Sequence, residues 1–236
     1  MEITPSSLYK RLLSHFGHQD WWPVDSLYHK KHDTDPRFEI MVGAILTQNT
    51  AWSNVEKALT NLKNEKCLTV NAIFEIDIEQ LKTLIQPSGF FNQKAQRLKS
   101  LASHLYDHYS SDLSQFFSKD VDEIRQELLS LNGIGPETAD SMLSYVGRLP
   151  VFVVDAYTKR ICKRLPVKIK NDTYDAIQQY FEKDIRSNFS KDDLAFIFQE
   201  FHALIVELAK TYCKAKPECD NCPLNEICKY KTSLSQ

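Results

Sequence analysis

The sequence predicts an all-α protein, and three observations in its 236 residues support that fold class. It contains only six glycines, long segments in which apolar and polar residues alternate are scarce, and most segments repeat apolar residues at helical spacing. Hydrophobic residues make up 42% of the chain, which is enough for one large domain or two small ones. No apolar run approaches the length needed to cross a membrane, so we expect no membrane association.

The predicted helices follow one another with short polar segments between them. The first spans residues 6–16 and ends at Gly17, and a long helix at 38–47 has an apolar face wide enough for the centre of a core. The remaining predicted helices lie at residues 53–63, 78–85, 93–109, 121–130, 174–189 and 194–211. The stretch 151–154 has the composition of a buried strand, but it is too isolated to build a sheet.

The net charge of −2 argues against a strongly basic nucleic-acid-binding protein, but two basic runs stand out. One begins at Lys94 and the other at Lys159. Each run is compatible with an ordinary solvated face or with phosphate binding. Charge alone therefore leaves the partner open.

Four cysteines near the end of the sequence are spaced C-x5-C-x2-C-x5-C and predict a metal site. The N-terminus lacks the basic and apolar segments of a signal peptide, so we expect no oxidising compartment and no disulfides. One C-x2-C pair flanked by two single cysteines suits a [4Fe–4S] cluster, whereas zinc sites usually consist of two close pairs. Zinc stays the alternative cofactor. The predicted ligands are Cys213, Cys219, Cys222 and Cys228.

A glycine-containing turn joins two predicted helices at residues 131–136. Gly133 and Gly135 allow a tight turn with positive φ, and Pro136 suits the first position of a new helix. Such a hairpin presents backbone N–H groups at a helix N-terminus, where they can bind a DNA phosphate without side chains. Taken alone, the G-x-G sequence is equally compatible with an ordinary corner between helices.

Further motifs accompany this hairpin. The stretch 147–150 is rich in Gly and Pro and is followed by Asp155, and upstream lie Leu46-Thr-Gln48 and the segment 89–95. Together with the hairpin and the cysteine loop, these motifs resemble the endonuclease III-like superfamily of base-excision DNA glycosylases, whose signature is a helix-hairpin-helix followed by a Gly/Pro-rich stretch and an aspartate. The similarity extends from about residue 38 to residue 228.

The resemblance implies a two-lobed helical DNA glycosylase fold with a C-terminal [4Fe–4S] loop. One lobe would span residues 34–149 and contain the helix-hairpin-helix at about 124–146. The other lobe would be discontinuous, combining residues 1–33 with 150–236, and would carry the catalytic aspartate and the cysteine loop at 213–228.

The resemblance also assigns roles to individual residues. Asp155 would stabilise the positive charge that develops on the deoxyribose and orient the attacking water, while also capping a helix. Gln48 would fill the gap left in the duplex by a flipped base. The other expected DNA-binding residues are Asn132, Gly133, Ile134, Gly135, Lys94 and Lys159.

Glu137 occupies a diagnostic position. In the bifunctional members of the superfamily, the residue two positions after the second hairpin glycine is a lysine that forms a Schiff base with the sugar. A carboxylate cannot form an imine, so the sequence predicts hydrolysis without strand cleavage. Glu137 could alternatively serve only to stabilise the helix start electrostatically.

The three tryptophans indicate a substrate class. Trp21-Trp22-Pro23 precedes the apolar helix, and Trp52 follows Gln48-Asn-Thr-Ala. This combination is similar to the 3-methyladenine DNA glycosylases of endonuclease III type. Electron-rich aromatic faces can select a positively charged alkylated purine by stacking and cation–π attraction. The alternative is that these aromatic residues belong to the core.

The sequence therefore predicts a monofunctional DNA glycosylase that flips an N-alkylated purine such as 3-methyladenine out of double-stranded DNA and hydrolyses its N-glycosidic bond. Two alternatives stay open: a bifunctional glycosylase/lyase acting on oxidised pyrimidines, and a non-catalytic helix-hairpin-helix DNA-binding module that contains a cluster. We expect a monomeric, cytoplasmic protein that associates with the nucleoid through DNA.

Overall fold

The computed structural model describes residues 2–230, and within this range the chain forms thirteen α-helices and no strand. In chain order they are α1 (Pro5–Phe16), α2 (Ser26–His32), α3 (Pro36–Leu46), α4 (Trp52–Asn64), α5 (Val70–Glu75), α6 (Ile78–Ile85), α7 (Phe91–Tyr109), α8 (Leu113–Phe116), α9 (Val121–Ser130), α10 (Pro136–Ser141), α11 (Ala156–Arg164), α12 (Tyr174–Asn188) and α13 (Leu194–Thr211). A π-helical segment, Met142–Val146, continues α10. The predicted all-α class is confirmed.

Local capping signals explain why several helix bounds agree with the prediction. Helix α6 begins after Asp77 and α9 begins after Asp120, and both aspartate side chains accept backbone N–H groups from the first turn of their helix. Helix α1 ends at Gly17, which adopts φ 72°. These signals lie within a few residues of the boundary, so they can be recognised in the sequence.

Three short helices, α2, α5 and α8, were not predicted. Helix α2 is the clearest case, because tertiary contacts hold a stretch that looks like a polar loop. The His29 side chain is buried, with Nε2 2.6 Å from Glu39 Oε2 and Nδ1 2.7 Å from Thr34 Oγ1. Lys63 Nζ lies 2.7 Å from the other oxygen of Glu39. Glu39 and Lys63 lie outside α2, at 10 and 34 residues from His29 (39 − 29 and 63 − 29), so the local pattern of the helix does not reveal them.

The chain divides into two compact units. The first combines the N-terminal residues up to Trp21 with those from Pro150 onwards, and the second spans Trp22–Leu149. The N-terminal division lies at Trp21 instead of residue 33, since the pairing of His29 with Glu39 attaches the segment that contains α2 to the second unit.

In the first unit, α13 packs against α1 and α11, and α1 packs against α12. Its core contains many aromatic side chains: the Phe152 and Phe181 rings are stacked with centroids 4.6 Å apart, and Phe201 lies 5.6 Å from Phe152. Helix α13 is buried over most of its length. Residues on α13 are therefore held rigidly by packing.

In the second unit, the long helix α7 packs against α3, α5 and α6, while α3 also contacts α4 and the π-helical segment. Helix α3 is buried along almost its whole length, as its apolar composition predicts. Helices α9 and α10 pack on each other across the glycine turn. None of the described helices is long and apolar enough to span a membrane.

Candidate active site

Asp155 is positioned by a buried extended stretch, residues 151–154, which is at most 8% exposed. The stretch has the composition of a strand, but helix α12 supplies its hydrogen-bonding partners. Phe152 N donates to Glu182 Oε1 at 2.9 Å, and Gln178 Nε2 donates to Phe152 O at 2.8 Å. Because buried backbone groups need partners, these bonds let an extended segment cross the unit without a sheet and deliver Asp155 to the start of α11.

The Asp155 side chain is the N-cap of α11 and is 8% exposed. Its Oδ1 accepts hydrogen bonds from Thr158 N at 2.7 Å and Thr158 Oγ1 at 2.8 Å. Its Oδ2 lies 3.6 Å from His202 Nε2. Capping therefore uses one carboxylate oxygen and leaves the other for a second role.

The environment keeps Asp155 ionised. Burial by itself disfavours the charged form, but the nearby His202, together with the hydrogen bonds from Thr158, outweighs that effect. The pKa of Asp155 consequently lies below the ordinary value for an aspartate. A buried carboxylate that stays charged can stabilise a developing positive charge.

Trp21 lies beside His202 in the first unit. The two rings are edge to face, with centroids 5.9 Å apart, and Lys210 Nζ lies 5.6 Å from the centre of the indole. The backbone just before Trp21 is held by buried Glu200, whose two carboxylate oxygens accept from Gln19 N at 2.7 Å and Asp20 N at 2.8 Å. The position of Trp21 is thus determined by α13.

Trp22 and Trp52 come together in the second unit. Their rings are edge to face with centroids 5.5 Å apart, and Tyr145 lies 5.3 Å from Trp22 on a similar geometry. Gly43 on α3 permits the close approach of the Trp22 indole, because a Cβ at this position would lie 3.3 Å from Nε1. Pro23 is exposed. The predicted base-pocket residues therefore comprise one pair of contacting rings, Trp22 and Trp52, and a separate ring, Trp21, with other neighbours.

The glycine turn has the predicted hairpin form, with one difference. Gly133 adopts φ 83°, whereas Gly135 is extended, with φ −94° and ψ 178°, and serves as the N-cap residue of α10. The expectation of positive φ at Gly135 was wrong, because a single left-handed residue suffices to reverse the chain. Asn132 and Gly135 are exposed, while the Ile134 side chain is 4% exposed and packs inward. Ile134 could thus contact DNA only through its backbone.

Gln48 is attached to this hairpin. Its Nε2 donates to Gly133 O at 3.2 Å and to Thr138 Oγ1 at 2.8 Å, and its Oε1 accepts from Arg97 Nη1. Arg97 also packs so closely on the turn that a Cβ at Gly133 would overlap with it. Glycine is therefore needed at residue 133 for both conformation and space.

Lys94, which was expected to bind DNA, is not accessible to solvent. It is fully buried, and its Nζ donates to Leu46 O at 2.7 Å and to Ser88 O at 2.8 Å. Burial and the neighbouring charge of Arg97 lower its pKa to about 8. A buried lysine cannot contact a DNA phosphate, so the expected DNA-binding role of Lys94 was wrong. It instead satisfies the carbonyl group of the last residue of α3.

Two other positions are accessible. Lys159, one turn after Asp155 on α11, is partly exposed. Phe90, directly before α7, is 62% exposed and adopts a positive φ of 48°. A large exposed apolar side chain on a left-handed residue is unusual, and such positions often have a functional explanation.

The four cysteines of the C-terminal loop line one cavity with Arg164 and Tyr212. None is in a disulfide. Burial and the neighbouring thiols raise the pKa of Cys222, so the sulfur atoms are close enough to influence one another. Within residues 2–230, no group of three or more His, Cys, Asp or Glu side chains is arranged to hold a metal ion. The donor set of four free thiols around one cavity nevertheless has the chemistry that a [4Fe–4S] cluster needs.

Sequence reasoning did not assign roles to several residues that the structure places at these sites. His202 contacts Asp155 from 47 positions away (202 − 155), and Arg97 contacts Gln48 from a different helix. No local pattern identifies such pairs. Thr158 is different, because a threonine three residues after an N-cap aspartate is a recognisable local arrangement.

Comparisons with known proteins agree with this geometry. The family profile of the HhH-GPD superfamily of base excision DNA repair proteins matches residues 42–187. MJ1434 of Methanocaldococcus jannaschii, whose assignment as a DNA repair glycosylase is provisional, is 45% identical over 222 residues, covering 94% of each chain. Endonuclease III of Sulfolobus acidocaldarius is 30% identical over 196 residues, covering 82% of each.

Solved structures of DNA glycosylases are similar to this chain in fold. The H. pylori 3-methyladenine DNA glycosylase MagIII, bound to 1,N6-ethenoadenine, is 30% identical with a TM-score of 0.71, covering 88% of this chain and 98% of its own. A trapped endonuclease III–DNA covalent intermediate has a TM-score of 0.78 at 22% identity, covers 99% of this chain and all of its own, and supports the fold. The chain therefore belongs to the HhH-GPD superfamily and is a base-excision DNA glycosylase.

Proposed function

We propose that this glycosylase is monofunctional and removes N-alkylated purines such as 3-methyladenine from double-stranded DNA. The observation that carries the proposal is Glu137, which stands at the position of the Schiff-base lysine and is exposed on the first turn of α10. A carboxylate cannot form a covalent imine with the sugar, so water is the nucleophile and an abasic site is the product.

Asp155 is the catalytic carboxylate in this proposal. Cleavage of an N-glycosidic bond develops positive charge on the deoxyribose, and a fixed negative charge in a water-poor site stabilises it. Asp155 Oδ1 is saturated by Thr158, so Oδ2 is the oxygen that faces the sugar and orients the attacking water. Little acid catalysis at the base is needed, because an alkylated purine already carries positive charge and leaves readily.

Aromatic residues select the base. The contacting rings of Trp22, Trp52 and Tyr145 form an electron-rich cluster that attracts a cationic purine through cation–π interaction. The similarity to the H. pylori 3-methyladenine glycosylase, at 30% identity, supports this substrate class. Trp21, with its own neighbours His202 and Lys210, is assigned to the same task.

We assign DNA binding to the hairpin and to individual side chains of both units. The exposed backbone of Asn132 and Gly135 would bind a phosphate, and partly exposed Lys159 would contribute charge. Gln48 would leave its bonds to the hairpin and enter the gap that the flipped base leaves in the duplex. Exposed Phe90 could pack against the unpaired bases.

The cysteine loop is proposed to hold a [4Fe–4S] cluster through Cys213, Cys219, Cys222 and Cys228. When bound, the cluster would supply four covalent crosslinks to the loop. Arg164 supports the same loop, donating to Lys214 O at 2.7 Å and to Ala215 O at 3.1 Å. Base removal requires no chemistry from the cluster.

A second candidate is a bifunctional glycosylase/lyase that acts on oxidised pyrimidines. The 30% identity with the endonuclease III of S. acidocaldarius favours it. Because residue 137 is a glutamate, the attacking amine would have to come from a lysine elsewhere in the chain. Lys159 is a candidate because it lies one turn after Asp155.

A panel of duplexes tests the two candidates. Each duplex carries one lesion: 3-methyladenine, 7-methylguanine, thymine glycol or uracil. Base release is measured under single-turnover conditions, and each reaction is repeated with sodium borohydride to trap a Schiff base. Asp155→Asn, purified in the same way, controls for contaminating glycosylases, and a bifunctional endonuclease III serves as the positive control for trapping.

We expect release of 3-methyladenine, abasic sites without strand cleavage and no covalent adduct. Release of thymine glycol alone would contradict the substrate class. A borohydride adduct would contradict the monofunctional mechanism, and its loss in Lys159→Met would identify the amine. DNA binding without release of any base would leave the protein as a non-catalytic DNA-binding module.

A further inference from the structure

We propose that His202 is a positioning residue for Asp155: it holds the second carboxylate oxygen in place and supplies the polar partner that a buried anion requires. This inference rests on the proposed catalytic role of Asp155. The superfamily signature consists of the helix-hairpin-helix, the Gly/Pro-rich stretch and the aspartate, and it includes no residue of α13. His202 is therefore an additional residue of the proposed site.

The two oxygens of the Asp155 carboxylate have different partners. Asp155 Oδ1 is occupied by two hydrogen bonds from Thr158, whereas Oδ2 lies 3.6 Å from His202 Nε2. Both side chains are buried, at 8% and 6% exposure. A charged carboxylate removed from water is costly unless it is paired. His202 is the group on the facing helix that can provide this pairing.

The histidine ring is itself held in place. Helix α13 lies in the core of the first unit, where Phe201, the residue before His202, is fully buried. On its other side the ring meets the edge of Trp21, whose backbone approach is held by Glu200 through Gln19 N and Asp20 N. A ring held in this way can fix the position of Asp155 Oδ2. The ring also lies in contact with Trp21, an aromatic residue of the proposed base pocket.

The charges around Asp155 also favour this role for His202. Among the described residues, His202 from α13 and Cys162 from α11 interact electrostatically with Asp155. Burial raises the pKa of the Cys162 thiol to about 12, so that group is neutral and leaves His202 as the source of the attraction. Lys210 lies over Trp21, and the carboxylate of Glu200 is directed at the backbone of residues 19 and 20 and at His18. The pKa of Asp155 lies below its ordinary value because His202 and Thr158 outweigh burial.

A pH profile of base release separates positioning from simple packing. Asp155 must be ionised to act, so activity falls as pH falls through its pKa. Removing the partner raises that pKa and moves the acid limb to higher pH. We expect His202→Leu, which fills the space without a polar atom, to move the acid limb upward by about one pH unit or more. His202→Gln places a donor at the equivalent position but loses the ring, and we expect it to keep the limb close to that of the wild type.

A measurement that needs no activity accompanies the profile. The full-length protein, His202→Leu, Asp155→Asn and the double variant are unfolded with urea at pH 7, and the unfolding equilibrium constants are compared. We expect the two substitutions to be non-additive, since each removes the same contact. Gly135→Ala combined with His202→Leu is the control that should be additive, because a Cβ at Gly135 would meet no atom within 4 Å.

The outcomes distinguish this inference from the proposed function. If Asp155→Asn is inactive but His202→Leu has the acid limb of the wild type, His202 is not a positioning residue and only the inference falls. If Asp155→Asn releases bases at the wild-type rate, the proposed function falls and the catalytic part of this inference falls with it. An equal shift in His202→Gln and His202→Leu would assign the effect to lost ring packing and would also overturn the proposal.

Discussion

Two acidic residues stand at the start of helices in this protein, and their surroundings differ. Asp155 precedes α11 in the first unit and is buried, with one oxygen bonded to Thr158 and the other facing His202. Glu137 lies on the first turn of α10 in the second unit and is exposed. Both benefit from the helix dipole, so position on a helix does not separate them. Burial among hydrogen-bond donors separates them, and it supports the proposal that Asp155 is the catalytic carboxylate.

The largest expected effect comes from exchanging each carboxylate for its amide. We expect Asp155→Asn to lower the single-turnover rate of base release by about 10²- to 10⁴-fold, because the negative charge opposite the sugar is lost. Glu137→Gln should change the same rate by only about twofold, as expected for an exposed position. Quench-flow or gel assays on a 3-methyladenine duplex measure both rates.

Thermal unfolding is the control for this pair. Asparagine caps a helix about as well as aspartate, so Asp155→Asn should stay folded. Equal losses of activity in the two variants would contradict the contrast between buried and exposed carboxylates.

The glycine turn that precedes Glu137 offers the next test. Gly133→Ala should destabilise the protein by about 1–2 kcal/mol, since a Cβ is unfavourable at positive φ, and it should also displace Arg97 from Gln48. Gly135→Ala is the matched control, because Gly135 has φ −94° and a Cβ there would meet no atom within 4 Å. Urea unfolding compares the two, and similar destabilisation by both would show that the hairpin conformation is misassigned.

Two lysines sharpen the comparison between the units. Lys94→Met leaves the Leu46 and Ser88 carbonyl groups without their buried donor and should destabilise the protein by about 1–3 kcal/mol. Its DNA affinity should keep the salt dependence of the wild type. Lys159→Met should leave the stability unchanged. The slope of log affinity for DNA against log salt concentration should become shallower by about 0.9. If Lys94→Met instead lowered the salt dependence of DNA binding, Lys94 would have to contact DNA, and its buried position would be contradicted.

The final comparison is the pH dependence of this buried lysine. Its pKa in the folded protein is about 8, whereas an unfolded lysine has a pKa of about 10.4. Between these values the unfolded chain binds more protons, so the stability of the wild type should rise relative to Lys94→Met as pH increases from about 8 to 10. Chemical unfolding at several pH values measures the difference. A constant difference would mean that Lys94 is not shielded from water.

Much of the helical framework could be predicted because its signals are local. Helices α6, α9 and α13 have the predicted bounds, and the hairpin between α9 and α10 was recognised from its glycines and its proline. The family signature was readable for the same reason: each of its motifs occupies a few consecutive residues. Helix α2 escaped prediction because the His29–Glu39 pair that stabilises it is not a local feature.

By itself, the sequence determined the all-α class, the superfamily, the position of Asp155 at a helix start and the presence of glutamate at residue 137. Only the tertiary structure decided which charged groups are buried. It placed Lys94 in the core, where it cannot reach DNA, and brought His202 to within 3.6 Å of Asp155. The physical reason is that helix signals depend on near neighbours along the chain, whereas burial and charge pairing depend on side chains that only packing brings together.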